Sequence, residues 1–254
     1  MVSLQKLPGL WANCRRQAVS KLLPLLFPRH CPVCDRLVPY GSTICPGCRK
    51  LLPLVRGNTC LRCGKPVSRP DQEYCYDCRV FPKSFEEGCS LYLYNHLTAP
   101  GMMALKYHNR RTLAEFYSRE MVRLRASVFQ RWKADTVVPV PIHPHKRKKR
   151  GYNQAELLSA EIASLLNIRH IPDLLVRVID TLPQKQFSPQ ARLTNLQKAF
   201  QMNPSCDLRG IHKVILVDDI YTTGSTMEAC TRTLLTAGIS HVYVCSICIG
   251  LSRD

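Results

Sequence analysis

From residue 87 onward the chain alternates short apolar runs with longer segments whose apolar residues recur every three to four positions. "CSLYLYN" and "DTVVPVPI" are rich in β-branched and aromatic residues and predict strands, as does the closing "HVYVCSICI". "HKVILVDD" has the continuous apolar character of a strand covered on both faces and ends, on this pattern, in two aspartates. Between the strands, "TAPGMMALKY", "RTLAEFYSREMVRLRA" and "NQAELLSAEIASLL" carry a helical period, and another helix opens at Gly224, Ser225 and Thr226 and runs to about Ala237. Strands separated by helices imply an α/β fold with a doubly wound, mostly parallel sheet.

The first third of the chain follows neither period. Residues 31 to 78 are rich in Cys, Pro and Arg, a composition that builds no core without a staple. Ahead of them, residues 7 to 27 place Leu7, Trp11, Cys14, Ala18 and Leu22 at helical spacing, which predicts a basic amphipathic helix that docks onto the rest of the protein. Three segments result: the amphipathic helix at 1–28, a cysteine-rich module at 29–83, and an α/β domain at 84–254.

Composition changes this picture in two ways. At 254 residues and 45% hydrophobic content the chain can hold one α/β core plus a small module, and wholesale disorder is excluded. Its formal charge of +18 points to an anionic partner, either nucleic acid, phosphates or a membrane surface. No run reaches the roughly 18 apolar residues of a membrane span. The Leu22–Phe27 stretch, broken by Pro24, lacks the features of a secretory leader. A reducing, cytoplasmic location is therefore expected, where cysteines bind metal rather than form a disulfide framework.

Eight of the 14 cysteines form four Cys-x-x-Cys pairs: Cys31/Cys34, Cys45/Cys48, Cys60/Cys63 and Cys75/Cys78. Each pair makes a knuckle holding two sides of a tetrahedral ion, and two knuckles complete a Zn²⁺ site. The spacings between pairs are nearly equal. However, "CPVCDRLV…CPGCRK" and "CLRCGKPV…CYDCRV" align as two copies of one unit, which favours one zinc per copy over a cross-braced pairing. Four thiolates fill the coordination sphere, so both sites are expected to be structural. With two ions bound, the net charge falls to about +14. Cys245 and Cys248 are different: strand alternation sends them to opposite faces, so they are core residues rather than a fifth knuckle.

The main chemical candidate is "KVILVDDIYTTGSTM". In an open parallel sheet, ligands sit beyond the carboxyl ends of the strands at the point where the winding reverses. Asp218 and Asp219 offer two carboxylates there, suited to vicinal hydroxyls of a polyol that carries a divalent metal. Thr222, Thr223, Gly224, Ser225 and Thr226 offer hydroxyls and backbone N–H groups at a helix start, a cradle for a phosphate monoester. Hydroxyls beside phosphate describe a ribose 5-phosphate site. An aspartate strand end with one Ser or Thr helix cap would account for only part of the run.

"VILVDDIYTTGST" resembles the 5-phosphoribosyl-1-pyrophosphate (PRPP) motif of type I phosphoribosyltransferases. The order of a tandem cysteine ribbon, "LKYHNRRTLA", "VVPVPIHPHKRKKRGYNQAELLS" and "QKQFSPQARLTNLQKAF" is similar to the ComF/GntX family over residues 25 to 250. That resemblance implies a double zinc ribbon joined to a phosphoribosyltransferase-like domain, PRPP with Mg²⁺ as ligand, and a link to competence, the uptake of external DNA. It assigns the ribose hydroxyls to Asp218 and Asp219, the 5-phosphate to Thr222–Thr226, and the pyrophosphate to Arg150 with Lys106 as second cation. It also implies a mobile loop carrying Gln186, Arg192 and Asn195. Either a phosphoribosyl transfer to an unidentified acceptor or a non-catalytic module for single-stranded DNA that senses PRPP fits this pattern. Competence-machinery proteins are further implied partners.

The run Lys146, Arg147, Lys148, Lys149, Arg150 is expected in a loop after a strand, where it serves pyrophosphate or nucleic-acid phosphates equally well. Tyr152 beside it is a candidate for stacking on an exposed base. The eight histidines show no metal pattern: His143 and His145 flank Pro144 in the basic run, and His30 is a solvated neighbour of the first cysteine.

Overall fold

The structure is a computed structural model and describes residues 29–39, 41–179 and 198–251. The amphipathic helix expected at 1–28 and the loop carrying Gln186, Arg192 and Asn195 lie outside the described residues. What is described divides into two compact units, one ending at Leu51 and one beginning at Leu52.

The repeat seen in the sequence is a repeat of backbone. In the first unit, Cys31 N donates to Arg36 O (2.8 Å), closing the Cys31–Cys34 knuckle beside a His30–Leu37 bridge. In the second unit, Cys60 N donates to Lys65 O (2.7 Å) beside a Thr59–Pro66 bridge. The residue after each knuckle takes a left-handed turn, Asp35 (φ 55°) in one copy and Gly64 (φ 73°) in the other. A short helix follows the third cysteine of each copy, α1 (Pro46–Leu51) and α2 (Tyr76–Val80).

Beyond the second knuckle the second unit contains the sheet. Its strands are β1 (Gly88–Leu93), β2 (Thr136–Pro139), β3 (Arg169–His170), β6 (Lys213–Tyr221) and β7 (His241–Ile249), in the order β1-β7-β6-β2-β3 and all parallel. The outer edge of β1 is covered by residues 53–55, through Val55 N to Leu91 O (3.0 Å) and Leu93 N to Pro53 O (2.8 Å). A separate antiparallel pair, β4 (Leu175–Arg177) with β5 (Phe200–Met202), was not foreseen; each strand is only three residues long and shows little periodicity.

The helices of the second unit are α3 (Ala99–Tyr107), α4 (Thr112–Leu124), α5 (Ala126–Trp132), α6 (Pro144–Arg150), α7 (Gln154–Leu166) and α8 (Ser225–Thr236). α4 packs on α7, and α7 packs on β2 and β6 through the fully buried Leu158 and Ile162. The opposite face holds one hydrophobic cluster in which Val214, Leu216, Val242 and Val244 meet Met227, Cys230 and Leu234 of α8, together with Phe85 and the second set of cysteines. Helices on both faces make the sheet doubly wound, as expected. The chain leaves β2 through α7 toward β3, and leaves β6 through α8 toward β7. Winding therefore reverses between β2 and β6, and the crevice of such a sheet lies at the carboxyl ends of these two strands.

Two expectations need correction. The aspartates do not end their strand: β6 runs on to Tyr221, because β7 still pairs with it at Asp218–Ser246, Ile220–Cys248 and Tyr221–Ile249. On the other side, pairing with β2 stops at Pro139–Val217, so from Asp218 onward β6 is bonded along one edge only. The basic run is also not a loop. Pro144 at the first turn and the His143 ring, which accepts from His145 N (3.3 Å), start helix α6, and Gly151 in a left-handed conformation ends it.

The Cys60–Cys63 knuckle lies directly against the sheet. A methyl group on Gly88 would stand 2.7 Å from a Val244 methyl carbon and 3.1 Å from the Cys63 carbonyl oxygen. Gly88→Ala is therefore expected to destabilise the second unit by about 1–3 kcal/mol through overpacking, measured as a lower denaturant midpoint with an unchanged slope.

Candidate functional site

The eight cysteines collect into Cys31, Cys34, Cys45, Cys48 and Cys60, Cys63, Cys75, Cys78, with the sulfurs of each group within 4.8 Å of one another. Two of the separations are 3.8 Å for Cys34–Cys45 and 3.6 Å for Cys63–Cys75. Four thiolates about 2.3 Å from one tetrahedral ion stand roughly 3.8 Å apart, so both groups fit structural zinc. The pairing is sequential, one centre per copy. Cys245 and Cys248 are buried in β7 and join neither group.

At the crevice, α3 and the α6–α7 segment bring cations to the carboxylates of β6. Lys106, in the last turn of α3, places Nζ 2.6 Å from Asp219 Oδ2, and both side chains are largely buried. Gln154, the first residue of α7, donates from Nε2 to Asp219 Oδ1 (3.3 Å) and accepts from Arg150 Nη1 (2.9 Å). Arg150 Nη2 in turn donates to the Tyr107 hydroxyl (3.1 Å), with the guanidinium 4.8 Å from the Tyr107 ring centroid. Asn153 caps α7 and donates to Val140 O (3.0 Å), which anchors this helix start to the chain leaving β2. Lys106, Arg150, Asp218 and Asp219 thus share one site, although they come from three separate elements of the chain.

The two carboxylates are not equivalent. Asp219 is 3% exposed and held by Lys106 and Gln154. Asp218 is half-buried, and its Oδ1 accepts from Asp219 N (2.8 Å). Burial pushes the Asp218 carboxyl well above the usual carboxylate range, the charge on Asp219 pushes it further, and Lys106 offsets this only in part. Burial alone would push the Lys106 ammonium down, but Asp219 outweighs it and the net shift is upward.

Beyond β6 the chain turns through Thr222 and Thr223, both exposed, to Gly224 (φ 75°), the N-cap of α8. No side chain caps this helix: the Thr223 and Ser225 hydroxyls bond each other (2.9 Å) instead. The first-turn N–H groups consequently have no side-chain acceptor and open beside two hydroxyls. Only glycine fits at 224, because a methyl group there would collide with the Tyr221 hydroxyl.

The basic run is divided by its helical geometry. Arg150 faces the carboxylate site, Arg147 pairs with Glu156 Oε2 (2.9 Å), and Lys148 and Lys149 are exposed, with Lys146 half-buried. Tyr152 is not available for stacking: it is 6% exposed, its hydroxyl donates to the Leu105 carbonyl, and Arg111 covers its ring at 4.5 Å. Sequence reasoning missed Gln154 and Tyr107. Gln154 carried a signal, since it follows the basic run at the start of a helix; Tyr107 carried none.

A doubly wound parallel α/β sheet thus offers paired carboxylates, two fixed cations and an uncapped helix start at its switch point, in a chain with two four-cysteine centres. Residues 22–79 match the double zinc ribbon domain family. Competence protein F of Haemophilus influenzae is 29% identical over 205 residues, 79% of this chain and 88% of that protein. The DNA utilization protein YhgH of Salmonella typhimurium is 29% identical over 95% of this chain and 97% of its own length. Competence protein ComFC of Bacillus subtilis is 26% identical over 80% and 82% respectively. A solved adenine phosphoribosyltransferase from Thermoanaerobacter pseudethanolicus overlays 60% of this chain and 85% of its own at 14% identity and a TM-score of 0.34. Over most of its length the chain is thus similar to ComF-type competence and DNA utilization proteins. Among the described residues no helix is long and apolar enough to cross a membrane.

A carboxyl whose folded pKa is raised weakens the fold as pH climbs from about 4 through that raised value, because the unfolded chain releases the proton first. Asp218→Asn is therefore expected to unfold at a higher temperature than the wild type near neutral pH, with the gap closing toward about pH 4. Thermal scans across this range measure it.

Proposed function

We propose that this protein binds PRPP with Mg²⁺ at the β2–β6 crevice and transfers the phosphoribosyl group to an acceptor, in the cytoplasm and in the service of DNA uptake. The observation that carries this reading is the convergence of Lys106 and Arg150 on Asp218 and Asp219, beside the uncapped Thr222–Thr226 turn. Each part matches one part of the ligand. The turn supplies hydroxyls and N–H groups for the 5-phosphate. The carboxylates suit the vicinal ribose hydroxyls. Arg150 and Lys106 suit the diphosphate.

Mg²⁺, an oxygen-seeking ion that keeps much of its water, would neutralise charge on the diphosphate when bound, and Asp218 is the carboxylate with room to accept from its waters. In the transfer, the anomeric C–O bond breaks with its electron pair leaving on the diphosphate, while the acceptor supplies the pair for the new bond and loses its proton. Arg150, pre-oriented by Gln154 and Tyr107, stabilises the charge that grows on the leaving group. Lys106 holds the Asp219 side chain in place, so the ribose meets a carboxylate already in position.

Calorimetric titration of PRPP with Mg²⁺ into the zinc-loaded protein tests this. Asp218→Asn with Asp219→Asn is expected to weaken binding by about a hundredfold or more, as two charged hydrogen-bond acceptors are lost. Equal binding by wild type and double variant would remove the ribose assignment.

A second reading is favoured by the division of the basic run. Lys148 and Lys149 are exposed on α6 and take no part in the carboxylate site, and relatives of the chain are named for competence and DNA utilization. On this reading α6 binds single-stranded DNA through phosphates while the crevice senses PRPP. Lys148→Gln with Lys149→Gln should make the slope of log K against log salt shallower by about 1.4, two phosphate contacts on a single strand. An unchanged slope would take α6 out of the DNA contact.

A further inference from the structure

The second four-cysteine centre differs from the first in what surrounds it. In "CLRCGK…CYDC" the second copy carries Lys65 and Asp77 where "CPVCDR…CPGC" carries Arg36 and Gly47. Lys65 is 1% exposed. Its carbonyl closes the Cys60–Cys63 knuckle, so the knuckle determines where its side chain starts. Its ammonium then makes two contacts, to Asp77 Oδ2 at 2.6 Å and to the Thr222 carbonyl at 3.0 Å. Asp77 lies between Cys75 and Cys78. One buried ammonium therefore ties both halves of this centre to the first residue of the turn after β6.

Tyr221 makes a second connection. Its ring packs edge-on against Phe85 with centroids 6.5 Å apart, and Lys65 Nζ lies 5.9 Å from its centroid. Its hydroxyl fills the space beneath Gly224 and is buried beside the cysteines of the second centre, Cys63 among them. A buried O–H at that position suits a cluster of metal-bound thiolates, which accept hydrogen bonds. On the outer side, Ser84 donates from N and Oγ to the buried Glu228 of α8 (both 2.7 Å), clamping the segment after the second knuckle onto the first turn of that helix.

We propose that Lys65 is a positioning residue through which the second zinc centre holds the 222–226 turn in its anion-accepting shape. Zinc occupancy of that centre and anion binding at the turn are then one linked equilibrium. An ion that closes both knuckles would fix Asp77 opposite Lys65, and the ammonium would pass that constraint to Thr222. Linkage is reciprocal, so an anion seated on the turn must tighten the equilibrium binding of this zinc and leave the first centre unaffected. The anion half of the inference rests on the PRPP reading of the crevice, whereas the zinc half does not.

The test uses full-length, zinc-loaded protein. Lys65→Met is expected to retain two zinc ions, yet lower the backbone order parameters at 222–226 from about 0.85 to below about 0.6, with β7 unchanged. In the wild type, PRPP with Mg²⁺ is expected to raise severalfold the concentration of a chromophoric chelator that removes one of the two zinc ions at equilibrium, and in Lys65→Met to raise neither midpoint. The proposal is overturned if Lys65→Met holds both ions with unchanged order in the turn. It is equally overturned if PRPP binds the wild type without tightening either zinc. If Lys65→Met fails to fold, stepwise chelation of the wild type decides: order at 222–226 must be lost together with the second zinc, and order that survives its removal overturns the proposal. A turn that loosens in Lys65→Met while PRPP binds neither protein would support the zinc half and remove PRPP as the ligand.

Discussion

Strand β6 is bonded on both edges only as far as Val217. Up to that residue β2 and β7 satisfy its backbone and the strand is part of a buried parallel sheet. Past it β2 has ended, β7 continues, and residues 218–221 extend with one edge open. Everything at the site depends on this asymmetry. It holds Asp218 and Asp219 in a rigid strand while leaving them a free side, and it delivers Tyr221 and the 222–226 turn to a set place. A carboxylate pair on a loop would need other restraints to stay aligned. Here the β7 ladder supplies them.

The open side is then filled by charge rather than by packing. Lys106 and Gln154 reach Asp219 from two different helices, and Arg150 is held behind Gln154 and against Tyr107. The result is a graded arrangement. Asp219 is buried and held by its partners, Asp218 is half-buried, and the cations beyond them are oriented before any ligand arrives. Charges fixed in this way need little reorganisation to meet an anion, which is the property that electrostatic catalysis and tight anion binding share.

The two cysteine centres show how one repeat can take on two roles. Their knuckles have the same hydrogen bonds and the same left-handed turn, yet the second is part of the sheet domain. Gly64 and Gly88 allow its backbone to rest on the start of β1, and its cysteines join the same hydrophobic cluster as β6, β7 and α8. The small module is therefore not simply an appendage in front of an enzyme-like core, since half of it lines one face of that core.

The sequence by itself determined the class of fold and the two sequential four-cysteine centres, because each of these rests on local periodicity or on fixed spacing. A buried parallel strand must be continuously apolar, a knuckle must space its ligands by two residues, and a helix-opening turn must contain glycine where the backbone turns left-handed. Tertiary structure alone decided what those local rules leave open. It extended β6 past its aspartates because β7 outlasts β2, coiled the basic run into a helix that sends Arg150 and Lys149 to different surroundings, and buried Tyr152 while leaving Tyr107 beside Arg150. It also joined Lys65 to Thr222. That contact spans 157 positions of chain, and no local pattern encodes a pairing made only when a ribbon and a sheet pack together.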